Sequence, residues 1–262
     1  MTTKQAGNGG LVMDPKGRLT EVVEEPGVDD GAAVKLPGRV GRVQQLQQGI
    51  QPVRIEKPER AYFSVMVRGL RPLITHRLGE SQRAKMIADQ TKQKTARGKR
   101  DLRDPEKEFR ESLYVVTRGI YGVPASGFAS AMVSACRFLD DFPMTHARSL
   151  FYIRGEGPRG GLVRVLDVKG RPAKPEMDED FVRVPPRTGT MMPCWRARFD
   201  EWQCQLSFMI NDTRLISVEA MVNLLDRAGT QIGICEGRPE KTGFRYQGMF
   251  EVSGQPKRME KL

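Results

Sequence analysis

Histidine is almost missing from this chain: only His76 and His146 occur in 262 residues. Cysteine is also sparse, at positions 136, 194, 204 and 235, with no CxxC pair and no histidine nearby. That spacing argues against a zinc site, and the apolar neighbours in SACRFL and QCQLSF predict buried free thiols in a reducing compartment. No run of eighteen apolar residues exists, so no membrane-spanning helix is expected. The opening MTTKQAGNGG lacks the apolar centre of a signal peptide, which makes the cytoplasm the expected location. There is no GxxxxGK[ST], and no GxGxxG follows a strand and opens a helix, so ATP and dinucleotide binding are disfavoured. The acids are scattered. Their densest group, Glu176–Asp180 in PEMDED, reads as a surface loop, and no metal or cofactor is expected.

Positive charge is what the sequence has in excess. Lys and Arg number 43 against 32 acids, a net charge of +11. Such an imbalance speaks about partners and not about fold. Nucleic acid is the commonest polyanion, and plain solubility is the alternative reading.

Residues 1–59 are rich in Gly, Pro, Gln and charge, with no lasting period, and read as a flexible arm. Order begins at RAYFSVMVRGL, where Phe63, Val65 and Val67 alternate with Tyr62, Ser64 and Met66 as in a strand. An insertion over 79–117 follows. Its stretch Lys92–Arg103 holds six cations (Lys92, Lys94, Arg97, Lys99, Arg100 and Arg103) against Asp101 alone, without an apolar face. It reads as a solvated basic loop able to order around phosphates.

DPEKEF starts a helix, with Asp104 as cap and Pro105 in the first turn, expected to run to about Thr117. A second helix over about 126–140 follows VPAS, with Phe128, Met132, Val133, Cys136 and Leu139 on its core face. SLFYIRG, LVRVLDV, DFVRV, CWRARF and CQLSFMI read as strands. Trp195, Phe199 and Trp202 read as core more than as base-stacking groups. Ser217 caps VEAMVNLLDRAG, with Gly229 as its left-handed stop. IGIC and GMFEV read as short closing strands, and 253–262 as a tail. Without the insertions the order is β-α-β-β-α-β, an α+β ferredoxin-like or RNA-recognition-motif-like antiparallel sheet with helices on one face of the domain 60–252. Modules of this shape use the open face for single strands.

The segment AGTQIGICEGRPEKTGFRYQGMFEV is the sharpest signal. Gly233, Gly237, Gly243 and Gly248 would let consecutive backbone N–H groups face a phosphate, forming a nest. Arg238, Lys241 and Arg245 would add charged contacts, and Phe244 or Tyr246 a face for a base. A glycine-rich hairpin that merely turns is the competing explanation.

VRGLRPLITHRL, DPEKEFRESLY, YGVPASGFASAMVSACR and this glycine-rich segment together resemble a group of phage-encoded proteins, over roughly residues 60–252. More distantly they resemble the repeat-associated (RAMP) superfamily, whose members form the backbone subunits of CRISPR effector complexes on a guide RNA. The resemblance implies that the loop over 233–248 lies against a nucleic-acid backbone. It also implies that several copies line up along the strand as a homo-oligomer. Gly233, Gly237 and Arg238 match the GIGxxRP element, Gly243 and Gly248 the later glycines, and Arg71, His76 and Arg77 the RPLxxHR element. It supplies no catalytic residue. The expectation is therefore a non-catalytic protein that coats RNA or single-stranded DNA. The alternatives are a metal-independent endoribonuclease using His76, and an assembly protein that mimics a CRISPR backbone subunit.

Overall fold

The computed structural model describes residues 11–13, 19–21, 55–91, 103–157, 160–183, 191–242 and 245–261. The chain divides into two units, Met1–Ile55 and Glu56–Leu262. In the first, Leu11–Met13 (β1) and Leu19–Glu21 (β2) pair antiparallel, with Val12 opposite Thr20. The rest of the expected arm up to residue 54 lies outside the described residues.

The second unit begins with Ala61–Gly69 (β3), Leu73–Thr75 (β4), Glu80–Gln90 (α1), Pro105–Ser112 (α2), Tyr114–Thr117 (β5) and Ile120–Pro124 (β6). Next come Ala125–Ala135 (α3), Met144–Leu150 (α4), Phe151–Arg154 (β7), Leu162–Arg164 (β8), Glu176–Arg183 (β9) and Met191–Phe199 (β10). It closes with Gln203–Ile210 (β11), Val218–Gln231 (α5), Pro239–Thr242 (α6), Phe250–Val252 (β12) and Lys257–Met259 (β13).

The alternation in RAYFSVMVRGL does what its period dictates. Phe63, Val65 and Val67 are buried together with Cys204, Leu206, Phe208 and Ile210 of β11. Phe63 sits opposite Phe208 in the register, and their rings stack with centroids 5.0 Å apart. Burying each such ring contributes about 1.5–3 kcal/mol. The central sheet runs β12-β3-β11-β7, every pair antiparallel. Helix α3 falls between β3 and β7 in sequence, and α5 between β11 and β12. This is the ferredoxin-like β-α-β-β-α-β arrangement. Phe128 of α3 meets Phe250 of β12 edge-on at 5.3 Å, which ties α3 to the edge strand β12. Beyond the expected closing strand, β13 also pairs with β3. Two smaller sheets flank the centre, β4-β10-β9 and β5-β6-β8.

Both expected caps are present. The Asp104 carboxylate accepts the Lys107 N–H at 3.1 Å, and the Ser217 hydroxyl accepts that of Ala220 at 3.1 Å. Four local expectations change. The helix from Asp104 stops at Ser112, because Val115, Val116 and Thr117 are β-branched or follow in a strand that pairs with β6 across Gly119 at φ +76°. The next helix ends at Ala135 in a 3-10 turn over Cys136–Phe138. PEMDED is not a loop but the start of β9, whose Asp178 and Asp180 meet arginines of β10. IGIC is not a strand, since Gly233 adopts φ +70° and its N–H donates to the Ala228 carbonyl at 2.9 Å.

Gly233, not Gly229, is therefore the left-handed stop of α5. Gly229 lies inside the helix, where an added Cβ would collide with the Phe250 carbonyl oxygen. All four cysteines are free, Cys136 and Cys204 buried and Cys194 and Cys235 half-buried. Trp202 and Phe199 are buried core residues, and the Trp202 indole N–H donates to the Arg71 carbonyl at 2.9 Å.

Helix propensity alone would make Gly229→Ala stabilising by about 1 kcal/mol. The collision with β12 reverses that sign. The variant is expected to lose about 1–3 kcal/mol, lowering the thermal midpoint by roughly 2–4 °C per kcal/mol. A calorimetric midpoint at or above that of the wild type would contradict the packing assigned to this glycine.

Candidate nucleic-acid interface

The two motifs that stand far apart in sequence, RPLITHR and the glycine-rich segment, are stitched together by backbone hydrogen bonds. Leu70 N–H donates to the Met249 carbonyl at 2.8 Å, Gly248 N–H to that of Pro72 at 2.8 Å, and Glu236 N–H to that of Ile74 at 3.1 Å. Within the loop, Ile234 N–H donates to the Gly248 carbonyl at 3.0 Å and Gln247 N–H to the Gly237 carbonyl at 3.1 Å. These amides face protein carbonyls, so they do not form the open nest that the sequence suggests.

The glycines follow the same logic. Gly237 and Gly248 hold φ +68° and +65°, and a Cβ on them would strike the Gln247 side chain and the Ile234 carbonyl respectively. Cys235 and Tyr246 share this left-handed conformation at φ 63° and 54°. Without glycine it costs on the order of 1–3 kcal/mol each.

The loop's cations are engaged. Lys241 Nζ lies 2.8 Å from the Glu236 carboxylate, Arg245 pairs with Asp180, and Arg238 Nε lies 3.3 Å from Glu240. Glu240 also holds Arg137. Arg196 is buried, 3.7 Å from the Asp180 carboxylate, and among the described residues its Nε has no hydrogen-bond partner. Burial alone would raise the Glu236 carboxyl. Lys241, Arg196 and His76 together outweigh it and hold the group below its ordinary value. Asp180 behaves likewise, lowered by Arg245 and Arg196 against its burial.

His76 sits beside this cluster at the end of β4. Loss of solvent around its ring, and then the Arg196 charge, lower its pKa from the usual 6.5. It is therefore neutral at pH 7.

One cleft of about 300 Å³ gathers part of the expected set. It is lined by His76, Gly233 and Arg238, with Tyr114, Ser126 and Gly127 opposite. Glu236 and Glu240 also border it, each already ion-paired. Ser126 and Gly127 belong to the first turn of α3, which follows Pro124 and has neither a side-chain cap nor an acid. The Ala125 N–H at its start donates to the Gly161 carbonyl at 2.8 Å, so the positive end of the helix dipole at Ser126 and Gly127 borders the cleft without a side-chain cap. A Cβ added at Gly127 would meet nothing within 4 Å. Burial, and then Cys235, raise the Tyr114 phenol above its ordinary value, so it is a neutral donor.

Other expected residues lie elsewhere. Arg71 and Arg77 are exposed; Arg77 lines a separate shallow groove with Lys107 and Arg110. Arg103 pairs with Glu108 and covers the Trp195 ring at 5.3 Å. Lys92, Lys94, Arg97, Lys99, Arg100, Gly243 and Phe244 lie outside the described residues. The α3 residues of the cleft were not expected. Their only signal in sequence is the Ser-Gly pair that follows Pro124, legible as a helix start but not as a site.

Fold and cleft together define a ferredoxin-like α+β domain with a self-packed glycine-rich loop over a polar cleft. No family model matches the chain, and no curated protein matches it. Solved structures do. A chain of a Type III-B Cmr-beta complex bound to cognate target RNA, seen by cryo-electron microscopy, is similar over 76% of this chain and 61% of that one. The identity is 8% and the TM-score 0.46. This chain thus spans about three-fifths of that chain's length. Cmr6 from Pyrococcus furiosus is similar over 74% of this chain and 99% of that one, at 10% identity and a TM-score of 0.38. Among the described residues no helix is long and apolar enough to cross a membrane.

His76 yields a signed pH prediction. Its neutral form is favoured in the free fold, so its contribution to stability is complete above pH 6.5 and is lost as pH falls below that value. A phosphate in the cleft favours the imidazolium instead. If the cleft holds a strand's phosphate, affinity should therefore rise as the pH falls below 6.5, by no more than about tenfold per pH unit for one proton taken up. His76→Asn should flatten both dependences, read by fluorescence anisotropy and by denaturant titration. An unchanged pH profile in the variant would remove His76 from the cleft's chemistry.

Proposed function

We propose that this chain binds single-stranded nucleic acid, RNA or single-stranded DNA, without cleaving it, and that several copies coat one strand. The observation that carries the reading is the cleft between the glycine-rich loop and the first turn of α3. There Arg238, neutral donors and an uncapped helix start converge over open space at Gly127. Anions favour such a place, because backbone N–H groups and the dipole both reward negative charge. The net charge of +11 would draw a polyanion to it. If four to six cations engage the strand, log K against log salt should slope about −3 to −4. A slope near zero would exclude a phosphate-driven mode. Oligonucleotides of increasing length should take up copies stepwise, and a single bound copy at every length would reject coating.

Gly127 separates stability from binding. Gly127→Ala gains up to about 1 kcal/mol of helix stability, while its methyl group enters the cleft. The expected result is an equal or higher thermal midpoint together with weaker binding. Unchanged affinity would place the strand elsewhere.

A second reading, metal-independent RNA cleavage, is favoured by one observation: neutral His76 and Tyr114 share the cleft. Labelled RNA incubated in EDTA with the wild type and with His76→Ala distinguishes the two. Cleavage lost in the variant would make this chain an enzyme.

A further inference from the structure

The central sheet has a second face, turned away from α3 and α5, and the registers place two cross-strand rows on it. In one, Tyr152 of β7 lies opposite Met209 of β11, which lies opposite Tyr62 of β3, with Met259 of β13 beyond. In the next, Arg154, Ser207, Ser64 and Lys257 follow the same order. Tyr152 is 51% exposed. Neither row contains a carboxylate. Among the described residues Arg154 and Lys257 have no ion-pair partner, whereas the nearby acids Glu251 and Glu156 are held by Arg68 and Arg164. A groove of about 460 Å³ runs from Arg154 and Ser207 to Arg164 of β8.

We propose that this face is a second contact surface for single-stranded nucleic acid, with bases on Tyr152 and Tyr62 and the backbone directed to Arg154 and Lys257. The proposal rests on the reading that the ligand is a single strand. The chemistry of the two rows favours that occupant. An aromatic ring accepts any base on its face, and the adjoining row supplies cations at both ends and the Ser207 hydroxyl between them, Ser64 being buried. The two tyrosines stand two strand spacings apart, roughly 10 Å. A strand with splayed bases reaches both; a base-paired duplex does not.

The test uses the full chain and a fluorescent oligouridylate. Tyr152→Ala should weaken binding by roughly five- to a hundredfold, the range for loss of one stacked base. Tyr152→Phe should stay within about twofold. Thiouridine-containing RNA should crosslink wild-type peptides from 151–154 or 203–210. Equal affinity of the Ala variant, or crosslinks confined to other peptides, overturns this surface while leaving the cleft reading intact. Should Tyr152→Ala fail to fold, the wild-type crosslinks alone decide. A wild type that binds no single strand at all removes both readings. A smaller sedimenting particle for Tyr152→Ala without nucleic acid would assign the face to a second copy of the chain and overturn the proposal.

Discussion

The architecture of the candidate interface depends on three backbone hydrogen bonds between the ends of the second unit: Leu70 to Met249, Gly248 to Pro72, and Glu236 to Ile74. A buried amide left without a partner costs about 1–3 kcal/mol, so the loop cannot lift from β4 without finding replacements. The same bonds force the chain into tight left-handed turns, which explains Gly233, Gly237 and Gly248 and the strained Cys235 and Tyr246. Burial raises the Cys235 thiol to about 12, so this residue is an inert filler of the turn and not a nucleophile. The floor of the cleft is fixed before any ligand arrives.

Electrostatics beneath that floor limit what the loop can contribute. Arg245 and then Arg196 keep Asp180 ionised against its burial, and Lys241 and then Arg196 do the same for Glu236, so these cations and carboxylates hold one another. A phosphate arriving there would exchange one ion pair for another, and exchange yields far less than a new contact with a free cation. On the proposed reading the cleft would therefore discriminate by shape and by neutral donors such as Tyr114 and the α3 amides. Strong binding at this point alone is not expected. Affinity would come from several modest contacts along a strand, each raising the effective concentration of the next.

The fold was legible where local chemistry decides. The alternation of Phe63, Val65 and Val67, and the caps Asp104 and Ser217, were readable because their partners lie within a few residues or on one face. Tyr114–Thr117 and PEMDED were misread because their strand character depends on β6 and β10, which no local pattern announces. The glycine-rich segment shows a deeper limit. A glycine needed for a ligand's approach and one needed for the protein's own approach leave the same mark in sequence. Gly237 and Gly248 serve the protein, while Gly127, which looks like an ordinary helix residue, borders the cleft and faces open space. The Tyr62–Met209–Tyr152 row was invisible for the same reason as PEMDED, since β11 brings together residues ninety positions apart.

The net charge acquires a different meaning in this light. Its cations are not concentrated at the cleft, where acids and bases are matched. Cations in no ion pair among the described residues, Arg71, Arg77, Arg154 and Lys257 among them, are spread over the second unit, Arg154 and Lys257 on the far face of the sheet. Charge spread in this way attracts a polyanion over a Debye length of about 8–10 Å and lets it approach along many paths. It does not set a register. On the two proposals above, register would come from short-range groups with fixed directions, namely the first turn of α3, Tyr114 and the exposed tyrosine on β7. Long-range attraction and local fit thus fall on different residues, so loss of a distant lysine and loss of a cleft donor should affect binding in separable ways, the first through its salt dependence and the second at any ionic strength.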